Sequence, residues 1–441
     1  MKHLYYIFAL ALLTTLNACS NKDTGPTPEP PNSTPILAGF TPASGKAGTT
    51  VTITGANFGT DANAVTVKFG NAGTVKPKTI TASQLTVEVP NDATTGMIAV
   101  VVNGTTLTTT SSFTVEQSTQ TLVYSRTINL PSAKSYLASA GLDTKLFFVG
   151  TNADGMGSTI DMYDTVAKAW TTEPMPIPRV KLAAAAAGNK VIFGGGDAAN
   201  GSSDALDIYD TNAKTWNHTG KLSQGRYHLA AAAAGNKIIF AGGDNDNAGY
   251  VATVDIYNTT NNTWETPTTL KGGVRRKFNG ASTGNFIMFA GGEDGTANIA
   301  SKNVDIYDVS TGAWTLSTMP KATYGFTGIG AADKIVFAKG GGINGESPII
   351  GNASTTPVWS NFTPPHSYYV TASAGNFMIF AGTKTVDIYN AVTGTWQSLT
   401  PTSNLEYMYA ASTGKTIMLI GRPFGTTGSA VTADIFTLVT K

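Results

Sequence analysis

The sequence predicts an all-β protein, a small β-sandwich followed by a seven-bladed β-propeller. Three observations carry this. Gly is abundant, 48 of 441 residues, and only 13% of residues are charged, a composition suited to short strands and tight turns. Residues 35–117 alternate apolar and polar side chains in short runs separated by turn residues, the pattern of strands buried on one face. Residues 120–441 repeat one unit, and repetition on this scale signals a propeller or solenoid.

The sandwich strands are read at Val51–Gly55, Val65–Gly70, Gln84–Pro90 and Met97–Val102. In the repeat region, Asp161-Met162-Tyr163 leads to Trp170, and Asp207-Ile208-Tyr209 to Trp216. Asp255-Ile256-Tyr257 leads to Trp264, Asp305-Ile306-Tyr307 to Trp314, and Asp387-Ile388-Tyr389 to Trp396. The Tyr-to-Trp spacing is constant, and an apolar strand ending in Gly precedes each block, as at Val191–Gly196 and Ile238–Gly243. The fifth repeat departs: Ile350, Gly351 and Asn352 replace Asp-x-Tyr before Trp359, and the outer half of that blade is expected to be irregular. Ala183–Ala187 and Ala230–Ala234 are helical by propensity. The aligned segments Gly280–Gly284 and Thr371–Gly375 are not, so all are read as innermost strands crowding a central axis. The last repeat reaches Asp434-Ile435-Phe436, too near Lys441 for its own Trp strand. Leu122–Arg126 supplies a matching strand. The two ends are thus expected to share a blade and close the ring, which removes exposed sheet edges.

At the N-terminus, Lys2 and His3 precede an apolar run from Leu4 to Leu13, too short to span a bilayer. Leu16-Asn17-Ala18-Cys19 then resembles the lipobox of bacterial lipoproteins. The resemblance implies a signal peptide over 1–18 and a lipid on Cys19, with the chain anchored to the cell envelope at the outer membrane, in a Bacteroidetes-like arrangement that allows surface exposure. Residues 19–34 carry Pro26, Pro28, Pro30 and Pro31 and read as a tether. Cys19 is the one cysteine, so the mature domains hold no disulfide and no thiolate site. The net charge of +1 gives no general attraction to nucleic acid.

Phe40-Thr41-Pro42-Ala43-Ser44-Gly45, Gly48 through Gly59, and Val67-Lys68-Phe69-Gly70 resemble the IPT/TIG family of immunoglobulin-like domains over 35–117. The Gly pairs, Asp-x-Tyr and Trp of residues 120–441 resemble kelch propellers. Galactose oxidase is similar in joining a kelch propeller to Ig-like domains. Its copper centre needs a Tyr cross-linked to Cys, which this chain lacks. No cofactor or metal is expected: of the histidines, only His218, His228 and His366 fall in the propeller, and His218 is read as facing solvent.

The recurring Asp, Tyr and Trp are assigned to packing, since function should sit where repeats differ. Aligning the blades on the Gly after the inner strand gives a ring at the incoming loop: Lys134, Arg179, Arg226, Arg275, Thr323, His366 and Leu405. Two residues on it reads Tyr136, Lys181, His228, Lys277, Gly325, Tyr368 and Tyr407, with Tyr227 and Arg276 between, and Glu406 the sole acid of the set. One mouth is therefore expected to be basic and aromatic. Arg forks suit carboxylates, Tyr faces suit sugars or peptides, and some kelch domains bind acidic peptides there. Arg226 and Arg275 are expected to be removable without loss of the fold. In the alternative, these arginines brace the loops. Asp244, Asp246, Glu293 and Asp294 follow the Gly pairs and are assigned to turns.

Three readings result. The first is a monomeric, non-enzymatic surface lipoprotein binding an acidic glycan or protein at the rim. The second is a scaffolding module of an envelope complex. The third is a kelch-type mutarotase on an anionic sugar, with Glu406, His228 and His366 cast as acid and base beside Arg226 or Arg275.

Overall fold

A computed structural model describes residues 34–90, 93–116, 120–151, 155–295, 299–339 and 348–440. The signal peptide, Cys19 and the tether up to residue 33 lie outside the described residues. The chain divides into two compact units between Ser118 and Thr119.

In the first unit, one sheet orders strands Ile36–Thr41, Thr50–Ala56, Gln84–Glu88 and Thr79–Ile80. A second orders Ser44–Gly45, Thr105–Val115, Gly96–Val102, Val65–Phe69 and Thr74–Val75. Alternation in sequence becomes alternation in burial. Val51, Ile53, Leu85 and Val87 of the first sheet share one core with Val65, Val67, Phe69, Ile98 and Val100 of the second, while Thr52 and Thr66 stay partly exposed. Gly55 is needed where the chain crosses Ile36, since an added Cβ would stand 2.0 Å from the Ile36 carbonyl oxygen.

Among the described residues, the second unit holds seven sheets that repeat one antiparallel four-strand path. The second blade shows the pattern: Ala183–Ala187, Lys190–Gly194, Ala205–Asp210 and Thr215–Lys221, from the inside out. The third blade adds a short strand, Thr268–Thr269. In the seventh, Leu405–Ser412, Thr416–Pro423 and Ala430–Thr440 take their fourth strand from the start of the unit, Gln120–Lys134, in a register running from Gln120 opposite Thr440 to Lys134 opposite Ala430. Innermost strands touch in ring order, the first also against the seventh.

These inner strands surround a cavity of about 270 Å³, lined by residues 139–141, 184–186, 231–233, 280–282, 328–330, 371–373 and 410–412. All but Ile329 are Ala, Gly, Ser or Thr. Their smallness is a distance requirement. A Cβ on Gly141 would stand 2.0 Å from the Ser412 carbonyl oxygen, and one on Gly330 2.2 Å from that of Ser282. The alanine runs are therefore strands in spite of their helix propensity, because packing around the axis outweighs a few tenths of a kcal/mol per residue.

The constant Tyr-to-Trp spacing is a register. Tyr163 lies opposite Trp170, Tyr209 opposite Trp216, Tyr257 opposite Trp264, Tyr307 opposite Trp314 and Tyr389 opposite Trp396. Their ring centroids are 4.9–5.0 Å apart, and such pairs contribute about 0.5–1.5 kcal/mol each beyond burial. In blade five Gly351, and not Asn352 as expected, takes the Tyr place opposite Trp359, so Ile349, Ile350 and Gly351 stand for Asp-x-Tyr. The indole has moved into the vacated space, so a Cβ on Gly351 would meet it at 2.6 Å.

Two substitutions test these packing arguments. Gly330→Ala should lower the unfolding free energy by about 1–3 kcal/mol through overpacking at the axis, read as a reduced urea midpoint. Gly351→Tyr restores the repeat consensus yet should also lower the melting temperature, because Trp359 already fills that space; a rise would show that the indole swings aside.

Candidate functional site

Each blade that carries the repeated Asp buries it in the third strand and meets it from the incoming loop or, in blade seven, also from the start of the inner strand. Arg179 Nη2 lies 2.6 Å from Asp207 Oδ2, and Arg226 Nη2 2.7 Å from Asp255 Oδ2; Arg275 Nη2 pairs with Asp305. Lys134 Nζ lies 2.9 Å from Asp161 Oδ2. His366 gives Asp387 both its backbone N–H, at 2.8 Å, and Nδ1, at 2.9 Å. In blade seven the Tyr407 hydroxyl donates to Asp434 at 2.6 Å, joined by Ser403. Blade five has Ile349 in the register place of the Asp, and there the loop residue is Thr323.

This corrects the expected rim. Arg179, Arg226 and Arg275 have no exposed surface and cannot present a fork to a partner. Each also donates to a buried carbonyl: Arg179 Nε to that of Gly195 at 2.6 Å, Arg226 Nε to that of Gly242 at 3.0 Å, and Arg275 Nη1 to that of Gly291 at 2.8 Å, while Arg275 Nε has no hydrogen-bond partner among the described residues. Those three glycines open the Gly pairs and all have positive φ, so the Gly pair aims a carbonyl at the guanidinium. Burial pulls the Arg226 and Arg275 values down and pushes Asp305 up, each opposed by the charge of its partner. The arginines are braces, as the alternative reading had it.

The tyrosines depart from expectation too. Tyr368 packs into the core shared by blades five and six, and Tyr407 into that of blades six and seven. Burial raises both hydroxyl values, and that of Tyr368 has no hydrogen-bond partner among the described residues. Tyr136 opens the strand Tyr136–Leu142 with its Cα opposite Gly150. Glu406 is engaged by Arg422 Nε at 2.9 Å.

What does gather at the mouth is the second ring position of blades two to four. Lys181, His228 and Lys277 have φ of 55°, 52° and 51°, and Gly325 continues them at 69°. The backbone links them across blades: His228 N donates to the Lys181 oxygen at 3.0 Å, Lys277 N to that of His228 at 3.2 Å, and Gly325 N to that of Lys277 at 3.1 Å. This left-handed turn lifts each side chain onto the mouth, where it meets the acid after its Gly pair. Lys181 Nζ lies 2.7 Å from Asp197, His228 Nδ1 2.9 Å from Asp244, and Lys277 Nζ 3.0 Å from Glu293. Arg276 reaches Glu293 at 2.8 Å and Asp244 at 3.4 Å.

The arc therefore alternates in charge rather than being basic. Burial alone would raise the Glu293 carboxyl, but hydrogen bonds from Lys277 and Arg276 hold it below the usual range. Two tyrosines flank the arc: Lys181 Nζ lies 4.8 Å from the Tyr227 ring centroid, and the Arg276 guanidinium 4.4 Å from that of Tyr250. Tyr250 stands on a hairpin, Lys237–Asn245 and Gly249–Asn258, raised from blade three. Assigning Asp244 and Glu293 to turns missed their pairing. The available signal was their shared place directly after a Gly pair.

The groups cast for mutarotation do not converge. His228 bonds Asp244, His366 bonds Asp387, Glu406 bonds Arg422, and Arg226 and Arg275 are sealed. His218, expected to face solvent, is largely covered: Nδ1 lies 2.6 Å from Asp207, and its ring stacks on Trp216 at 5.8 Å. Among the described residues no group of three His, Cys, Asp or Glu could hold a metal ion, and no helix is long and apolar enough to cross a membrane.

Two family models match the chain. The family model of the KLHDC2/KLHL20/DRC7 kelch-repeats domain matches residues 136–341, and that of the IPT/TIG domain matches residues 35–116. A structural genomics protein of unknown function from Bacteroides thetaiotaomicron VPI-5482 is similar over 93% of this chain and 99% of its own, at 13% identity and a TM-score of 0.43. The structure of YjhT is similar over 71% of this chain and 99% of its own, at 12% identity and a TM-score of 0.44. No curated protein matches the chain. The chain carries an IPT/TIG domain followed by a kelch-repeat domain.

Proposed function

We propose that the protein is a non-catalytic binding module of the cell envelope, and that it takes a polypeptide partner at the mouth of blades two to four. The observation that carries this is the charge-alternating arc of Lys181, Asp197, His228, Asp244, Arg276, Lys277 and Glu293 between Tyr227 and Tyr250. A polyanionic glycan meets as many carboxylates there as cations. A polypeptide bearing both signs can exchange each rim pair for one of its own, and complementarity of this kind sets specificity and encounter rate. The backbone ladder keeps the arc preformed, which limits the ordering lost on binding. The envelope location rests on Leu16-Asn17-Ala18-Cys19; lipid on Cys19 would place the module at the membrane surface, and its orientation there belongs to the same proposal.

On arrays of charged peptides and of uronic- and sialic-acid glycans, the protein is expected to retain peptides carrying both signs. Binding should weaken with rising salt, and Lys181→Ala/Arg276→Ala should reduce it several-fold with an unchanged melting temperature. Salt-sensitive retention of the acidic glycans instead would return the reading to an acidic-glycan receptor. Arg226→Ala should behave in the opposite way. It leaves Asp255 buried and unpaired, so unfolding should become easier by about 3–5 kcal/mol, and Arg226→Met with Asp255→Leu should recover most of that loss. Cys19→Ala should abolish incorporation of a labelled fatty acid and release the protein from the membrane fraction; retention there would remove the lipid-anchor part of the proposal.

A further inference from the structure

His228 stands between Lys181 and Lys277, one blade to either side, at the same left-handed backbone position. Backbone bonds from His228 N to the Lys181 oxygen and from Lys277 N to the His228 oxygen fix the three in a row, so they cannot drift apart when charged. The imidazole Nδ1 lies 2.9 Å from Asp244 Oδ2. An ionised carboxylate only accepts, so Nδ1 carries the hydrogen and Nε2 is where a further proton would be taken up. The other groups facing this place are Tyr227, whose ring meets the imidazole edge-on at 5.2 Å, Arg276, shared between Asp244 and Glu293, and Asp197, paired with Lys181. Asp246 lies behind Tyr227 and accepts from the Ser202 N–H at 2.6 Å. Lys181, Arg276 and Lys277 stand against three carboxylates, Asp197, Asp244 and Glu293, so a proton added at His228 leaves the arc one charge positive.

We propose, resting on the binding reading above, that His228 sets the partner preference of the rim by pH: balanced when the imidazole is neutral, the arc gains one net positive charge in acid, where His228 joins Lys181 and Lys277, and then takes an acidic polypeptide segment. Burial pulls the imidazole below its ordinary value, Asp244 opposes this, and Lys181 and Lys277 lower it further. His228 is therefore neutral at pH 7 and takes its proton only in acid. The sign follows from linkage. A depressed folded value means stability that is present above the unfolded value, near 6.5, and lost as pH falls through the folded value. The protonated rim is the less stable form, and an anion seated on it relieves that loss and holds the proton in place. Proton and anion binding must then favour each other reciprocally.

The test uses the full chain and a fluorescent octa-aspartate peptide, whose carboxylates remain largely ionised at pH 5. Anisotropy titrations at pH 7.5 and pH 5 should show affinity rising about fivefold in acid, the contribution of one further screened ion pair. His228→Asn tolerates the left-handed backbone and keeps an amide donor for Asp244. Whatever its affinity at pH 7.5, it should lose the rise at pH 5, as should His228→Gln. A rise that survives in both variants, or no binding of octa-aspartate by the parent at pH 5, overturns the proposal. Lys181→Ala/Lys277→Ala separates the two readings: if it binds as the parent does at both values, the rim itself is not the site, whereas loss of binding at both with no pH effect in the parent leaves the rim standing and removes the switch.

Discussion

The kelch-repeat unit depends on one interaction, the buried carboxylate of the third strand held by a side chain from the loop that enters the blade. An ionised carboxylate sealed from water is strongly unfavourable unless its oxygens are taken. Each Asp-bearing blade solves this with a different donor: Lys134 for Asp161, Arg179 for Asp207, Arg226 for Asp255, Arg275 for Asp305, His366 for Asp387, and Tyr407 with Ser403 for Asp434. Hydroxyls from the outer strand complete some of them, Thr172 on Asp161, Ser398 on Asp387 and Thr127 on Asp434. The clamp ties the incoming loop to the middle of the sheet, and so fixes where the mouth residues that follow it stand. Blade five shows the converse, lacking both the carboxylate and a charged partner for it.

Two consequences follow from the arginine form of the clamp. A guanidinium has five donors, so one carboxylate cannot satisfy it. One further donor goes to the first carbonyl of the Gly pair, which turns through positive φ to offer it, and others go to neighbouring backbone carbonyls, those of Ile177, Gln224 and Asn303 among them. The repeat motif is thus one hydrogen-bonded unit spread over three places in sequence. The small residues of the inner strands answer a separate demand, set by the distance between neighbouring blades at the axis.

The same construction explains why a row of basic residues does not make a basic surface. The loop delivers its first cation into the interior and its second onto the mouth, and the Gly pair delivers an acid beside the second. Charge is balanced locally in blades two to four, and what faces solvent is an ordered alternation flanked by Tyr227 and Tyr250. Within it His228 differs from Lys181 and Lys277 by being neutral at pH 7.

The sequence by itself determined the β-class, the sandwich strands, the repeat and its register, because these rest on periodicities of side-chain type that any window of chain displays: Val51 and Ile53 against Thr52, or Tyr209 a constant step from Trp216. It also placed the alanine runs in strands, since aligned repeats overruled their propensity. The tertiary structure alone decided which cations are buried and which are presented. Arg226 and His228 are two residues apart, and nothing in their spacing distinguishes a brace from a rim group. That outcome depends on Asp255 and Asp244, which are distant in sequence and arrive from the third strand and from the place directly after the Gly pair. Electrostatic character is a property of pairs brought together across the fold, and a sequence shows charges without their partners.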